Sequence, residues 1–98
     1  MILEDCINEI IEKNFSSGDY FDSHTIFNLI LQNPNYHLAY LQKFHEKYSN
    51  CIIAQFHGQI AKNIIGSSSN KVRTISDNAV TLNIYGGQPT KNELWQKI

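Results

Sequence analysis

The feature that most constrains what this chain can fold into is a change of period near residue 66. Before it, apolar residues recur every three or four positions, which is the spacing of one helix face. From Lys71 onward they alternate with polar residues, which is the spacing of a half-buried strand. A chain written this way must place a short β element on a helical body, because an isolated two-stranded hairpin is marginal in water.

Four helices are expected in the first part. Leu3, Ile7, Ile10 and Ile11 make one stripe on a helix from Ile2 to about Asn14, ended by Ser16-Ser17-Gly18-Asp19. Asp22 is placed to cap a second helix, with Phe21 and Ile26 at the spacing of a hydrophobic staple. That helix stops at Asn33-Pro34, since the residue before a proline is pushed out of the helical region. Asn33 and Pro34 then open a third helix over about 35–48, on which Tyr36, Tyr40, Phe44 and Tyr48 repeat every four residues. A fourth helix is expected over 51–65, with Ile53, Phe56, Ile60 and Ile64 inward and Gln55, Gln59, Lys62 and Asn63 outward.

Two strand-like runs follow, Lys71–Ser76 and Ala79–Tyr85, with Asp77-Asn78 between them as a tight-turn pair. Val80, Leu82 and Ile84 are expected to face the helices. Thr90 and Glu93 have the spacing of a capping box, so a final turn or two of helix is expected at the tail, with Leu94, Trp95 and Ile98 as its contacts. The predicted fold class is α+β: mainly helical, about four helices followed by a C-terminal β-hairpin, winged-helix-like, in one domain spanning 1–98. Helix 51–65 would be the recognition element and hairpin 71–85 the wing.

Phe21-Asp22-Ser23-His24, His57-Gly58-Gln59-Ile60, Asn83-Ile84-Tyr85-Gly86 and Trp95, in that order, resemble the recurrent positions of a family of short, uncharacterised bacterial proteins. The resemblance runs from about Phe21 to the end. It implies no activity and carries no functional residue over to this chain.

Charge divides the chain unequally. Residues 1–22 hold six acids and one base, and residues 23–98 hold seven bases and three acids. No acid lies between Glu46 and Asp77, where Lys47, Lys62, Lys71 and Arg73 all fall. A surface built from that stretch suits an anionic partner. Duplex DNA is one: Gln55, Gln59, Lys62 and Asn63 would enter a groove, with Lys71 and Arg73 on the backbone. Against it, a pI of 6.4 is low for a module that must neutralise phosphates.

The second reading is a protein-interaction or self-associating module. Tyr36, Tyr40 and Tyr48 supply apolar area with a polar handle, as interfaces favour. An acidic first helix could also face the basic hairpin of a second copy, making a homodimer.

Chemistry is thinly represented. His24, His37, His45 and His57 with Cys6 and Cys51 show no paired metal-ligand spacing, so no metal and no cofactor are expected. Ser67, Ser68 and Ser69 sit in a loop-like run without a nucleophile elbow, and Gly86-Gly87 is no phosphate loop. The chain reads as a non-enzyme. His24 is expected to be a neutral residue beside the second helix's cap, and His57 a part-buried, hydrogen-bonded one. Gly58 costs about 1 kcal/mol relative to Ala in a helix interior, which implies a bend or a close backbone approach there, by tight packing or by a partner. Both cysteines read as buried reduced thiols. No apolar run exceeds four residues, so no membrane span is expected, and the basic-then-apolar start of a leader is missing; a cytoplasmic protein is the expectation.

Overall fold

The computed structural model describes residues 2–47, 52–66, 71–84 and 86–98. Tyr48, Cys51, Ser67, Ser68, Ser69 and Tyr85, which figure in the expectations above, lie outside the described residues.

Helix α1 spans Leu3–Asn14, and its inner stripe of Leu3, Cys6, Ile7, Ile10 and Ile11 is fully buried. Strand β1, Tyr20–Asp22, leads directly into α2, Ser23–Gln32. Asp22 caps α2 as its sequence position predicts: its Oδ1 accepts from the Thr25 backbone N–H at 2.8 Å and from Thr25 Oγ1 at 2.7 Å. Asn33 then caps α3, Pro34–Lys47, its Oδ1 accepting from the Asn35 N–H at 2.9 Å. A Lys43–Glu4 ion pair at 2.8 Å ties α3 to α1. Helix α4, Ile53–Ile60, continues as one π-helical turn over Ala61–Ile65.

The sheet is antiparallel, with strand order β1-β3-β2, where β2 is Val72–Leu82 and β3 is Pro89–Lys97. The α+β class and the four helices stand as expected, and a C-terminal hairpin follows them. Its boundaries differ. Asp77-Asn78 is not the turn; β2 runs through it, and the extra residues are absorbed as irregularities between Thr74 and Ser76 and between Ser76 and Ala79. The chain reverses instead at 83–88, where the Asn83 N–H donates to Gln88 O at 2.9 Å and Gly87 takes φ of +65°, a conformation open to glycine.

This later turn makes the tail a strand and not a helix. Thr90 and Glu93 form no capping box; they lie in β3. β3 occupies the middle of the sheet, pairing Phe21 with Trp95 on one side and Thr74 with Trp95 on the other. The inward apolar residues change accordingly. Val80 and Leu82 are 60% and 64% exposed, while Ile84 only packs against the core's margin. Val72 and Trp95 take the core positions, with Trp95 completely buried and its ring 5.8 Å from that of Phe21. Helices contribute Ile26, Phe27, Ile30, Tyr40, Phe56, Ile60 and Ile65 to the same core.

Trp95 Nε1 has no hydrogen-bond acceptor among the described residues, so the indole acts as apolar volume. Trp95→Ala is expected to lower the unfolding free energy by about 3–5 kcal/mol, the usual cost of emptying a large aromatic site. Trp95→Phe should cost distinctly less, because no hydrogen bond is lost. Urea titration followed by circular dichroism measures both.

Candidate functional site

A groove of about 590 Å³ lies between the start of α2, the length of α4 and the middle of β3. Ser23 and His24 reach it from α2, Gln55, His57, Gly58, Gln59 and Lys62 from α4, and Asp77, Thr90, Lys91, Asn92 and Glu93 from the hairpin. Three of the six residues expected to contact an anionic partner (Gln55, Gln59 and Lys62) therefore share this groove with both histidines singled out in the sequence.

Its wall on the α2 side is held by side chains. Ser23 Oγ donates to Asn92 Oδ1 at 3.0 Å, and the His24 backbone N–H reaches the same oxygen at 3.3 Å. His24 Nε2 lies 3.0 Å from Thr90 Oγ1. Asn92 Nδ2 donates onward to Ala79 O and Thr81 Oγ1, which fixes it between the two strands. Burial pushes the Asp22 carboxyl up, but its bonds from the Thr25 hydroxyl and N–H, joined by Thr81, prevail and hold it below the ordinary range. His24 is thus more than a residue near a cap: it is buried and spans from α2 to the hairpin.

The α4 wall rests on His57. Its ring stacks on Phe27 with centroids 3.9 Å apart and planes 6° from parallel, and its Nε2 lies 2.8 Å from Tyr40 Oη. Burial, with a smaller contribution from His24, lowers its pKa from 6.5 to about 4, so the ring is neutral at physiological pH. Tyr40, expected as an interface residue, belongs to this buried network and to the core; burial also pushes its phenol up. The reason is geometric, since Tyr40 lies inward between Phe27 and Phe56 on the face that α3 turns to α4. Tyr36 is half-buried beside Glu9, and Tyr48 lies outside the described residues.

Gly58 shows why its helical cost is tolerated. A Cβ built there would meet nothing within 4 Å, so tight packing does not require glycine. What its missing side chain leaves is open groove. Gly66 is the opposite case: a Cβ would come within 3.1 Å of Lys62 O and 3.5 Å of Glu93 Oε2.

The cationic residues do not gather on one face. Lys62 sits beside Glu93, whose carboxyl is raised by burial and by Asp77 and lowered by Lys62. Arg73 donates to Gln96 Oε1. It follows buried Val72 in β2, so it lies on the other side of the sheet, in register with Gln96 and exposed Tyr20. Lys71 lies at the β2 entry, half-buried, its carbonyl accepting from the Ile98 N–H. Asn63 donates to Gln59 Oε1 along the exposed face of α4. The acid-free stretch in sequence is therefore not an acid-free surface, because β3 and the β2 bulge return Glu93 and Asp77 to Lys62.

Cys6 is buried in α1 and its thiol is raised, chiefly by burial. Among the described residues, no three His, Cys, Asp or Glu side chains are grouped to hold a metal, and no helix is long and apolar enough to cross a membrane. No known family model matches the chain, nor does any curated protein or solved structure.

Two outcomes follow from this geometry. Gly58→Ala is expected to stabilise the protein by about 0.5–1 kcal/mol, because helix propensity is gained and nothing is displaced; the thermal midpoint should rise. For His57, the folded pKa lies below the unfolded value of 6.5, so its stabilising contribution is complete above 6.5 and declines as pH falls toward about 4. The loss should reach about 3 kcal/mol at the acid end. Urea midpoints between pH 7 and pH 4 read this slope. His57→Phe should be about 1 kcal/mol less stable at neutral pH, for the lost Tyr40 bond, and flatter with pH.

Proposed function

We propose that this protein is a small, non-enzymatic, winged-helix-like interaction module that self-associates through the free edge of β2. The winged-helix-like reading draws on the strand order β1-β3-β2 with the helices inserted between β1 and β2.

The observation that carries the proposal is the state of the β2 edge. Among the described residues β2 pairs only with β3, leaving an edge of 11 residues with one neighbour. Such an edge is a template for another strand unless it is blunted. The two irregularities blunt its first part. Ala79–Leu82 is regular, uncharged and free of proline, and Val80 and Leu82 are exposed on it. A second copy suits this segment, because antiparallel self-pairing about Val80 sets no like charges opposite one another.

Duplex DNA is the runner-up. It is favoured by the exposed row of Gln55, Gln59 and Asn63 on α4 and disfavoured by the carboxylates beside Lys62.

Sedimentation velocity across a range of concentrations tests the proposal. A concentration-dependent dimer is expected, lost in Val80→Lys/Leu82→Lys with the circular dichroism spectrum unchanged. A monomer at every concentration would overturn it. Electrophoretic titration against a random duplex at low salt tests the runner-up, whose signature is a shift that Gln59→Ala/Lys62→Ala abolishes.

A further inference from the structure

From the unequal lengths of the strands flanking β3, we infer that the groove between α4 and β3 is a binding site for an extended peptide segment of another protein, which pairs with the backbone of Lys91 and Glu93. β1 has three residues and, among the described residues, pairs only with Leu94, Trp95 and Gln96 of β3. Beyond Leu94, β3 continues to Pro89 with β2 on one side alone.

The hydrogen-bond phase fixes which groups are left over. The Lys97 N–H donates to Asp19 O, and Lys97 O accepts from the Gly18 N–H, so Lys97 turns its backbone groups toward β1. The Ile98 N–H donates to Lys71 O, toward β2. Successive residues alternate between the two sides, and the irregularities lie in β2, so β3 keeps its phase. Trp95, Glu93 and Lys91 therefore direct their N–H and C=O groups to the β1 side. Trp95 meets Phe21 there; Glu93 and Lys91 have no backbone partner there among the described residues. At Pro89 the same phase places the residue without an N–H where no donor to β2 is needed.

That unpaired stretch opens into the groove and not into bulk solvent. Thr90–Glu93 spans about 10 Å as a strand, and Ala54–Lys62 on the opposite wall spans about 12 Å as a helix. The groove thus accepts about four residues of extended chain. Gly58 lies on its helical wall with open space where a side chain would stand, which gives a bulky peptide side chain room to seat. At one end Asp77 and Glu93 stand against Lys62, so the charges there offset one another and suit a polar, uncharged residue in the peptide. Backbone pairing supplies affinity and the pocket over Gly58 supplies selectivity, as in other strand-addition sites. The site is separate from the β2 edge and stands or falls without the self-association proposed above.

The test uses a phage-displayed library of random peptides selected on the full chain. Enriched peptides are expected to bind the purified protein in fluorescence anisotropy and to weaken by about tenfold or more on Gly58→Leu. That variant should keep its fold, since Leu is a better helix former than Gly, and thermal denaturation checks it. In the complex, the amides of Lys91 and Glu93 should exchange more slowly. Failure to enrich any peptide would overturn the inference, as would binding indifferent to Gly58→Leu. Protection confined to Ala79–Leu82 would equally overturn it, and would assign the peptides to the β2 edge.

Discussion

The structure depends on one long-range pairing, that of Phe21 with Trp95. It joins the end of the first helical connection to the last strand and makes the chain's tail the middle of its sheet. Trp95 is completely buried on the helical side, and Phe21 lies against it and stacks on Phe15 with ring centroids 4.4 Å apart. Because β1 is only three residues long and runs into the Asp22 cap, this pairing also fixes where α2 begins. Ser23 and His24 are thereby held against Asn92 and Thr90, and Lys97 Nζ donates to Phe15 O at 2.7 Å to secure the end of α1. Loop-closure entropy opposes so distant a contact only weakly, since it grows with the logarithm of length. Burial of the indole, worth several kcal/mol, outweighs it.

The helices were legible because their signals are local. Asp22 and Asn33 cap where their positions say they should, and the stripe on α1 is the stripe that is buried. The sheet was not, because its determinants are tertiary. Asp77-Asn78 has turn composition, yet a bulge absorbs it, and the reversal falls where Gly87 can take a positive φ. Thr90 and Glu93 satisfy a capping pattern that the backbone does not use, and the adjacent apolar pair Leu94-Trp95 breaks the alternation that would mark a strand. β1 left almost no trace, since a three-residue strand has no period. Val80 and Leu82 alternate like buried residues, but Thr81, which reaches the Asp22 carboxyl, and buried Asn83 are the residues turned to α2, so Val80 and Leu82 face away and are exposed.

The groove was half legible. Gln55, Gln59, His57 and Gly58 declared themselves through helical spacing and through the cost of a mid-helix glycine. Lys62, Lys71 and Arg73 looked alike in sequence because charge was counted along the chain. In space, Arg73 and Lys62 lie on opposite sides of the sheet, and Lys62 has Glu93 and Asp77 as neighbours. Tyr40 shows the same limit: nothing in its four-residue repeat distinguishes an exposed tyrosine from one whose hydroxyl meets a buried histidine.

The two unpaired stretches of the sheet differ in how they are managed, and the difference bears on what each can bind. β2 is guarded by its own bulges, so only Ala79–Leu82 is regular enough to pair, and it does so in the open. The β1 side of β3 carries no bulge between Pro89 and Glu93; α4 stands over it instead. A strand edge covered by a helix is normally closed by side chains packing from that helix. Here Ser23 and His24 bond to Asn92 and Thr90 from α2, while α4 presents Gly58 to the gap, where a Cβ would meet nothing within 4 Å. An alanine at 58 would strengthen the helix, and a larger residue would fill the gap. A glycine does neither, and the geometry it preserves is a slot as long as four extended residues with backbone groups along one wall.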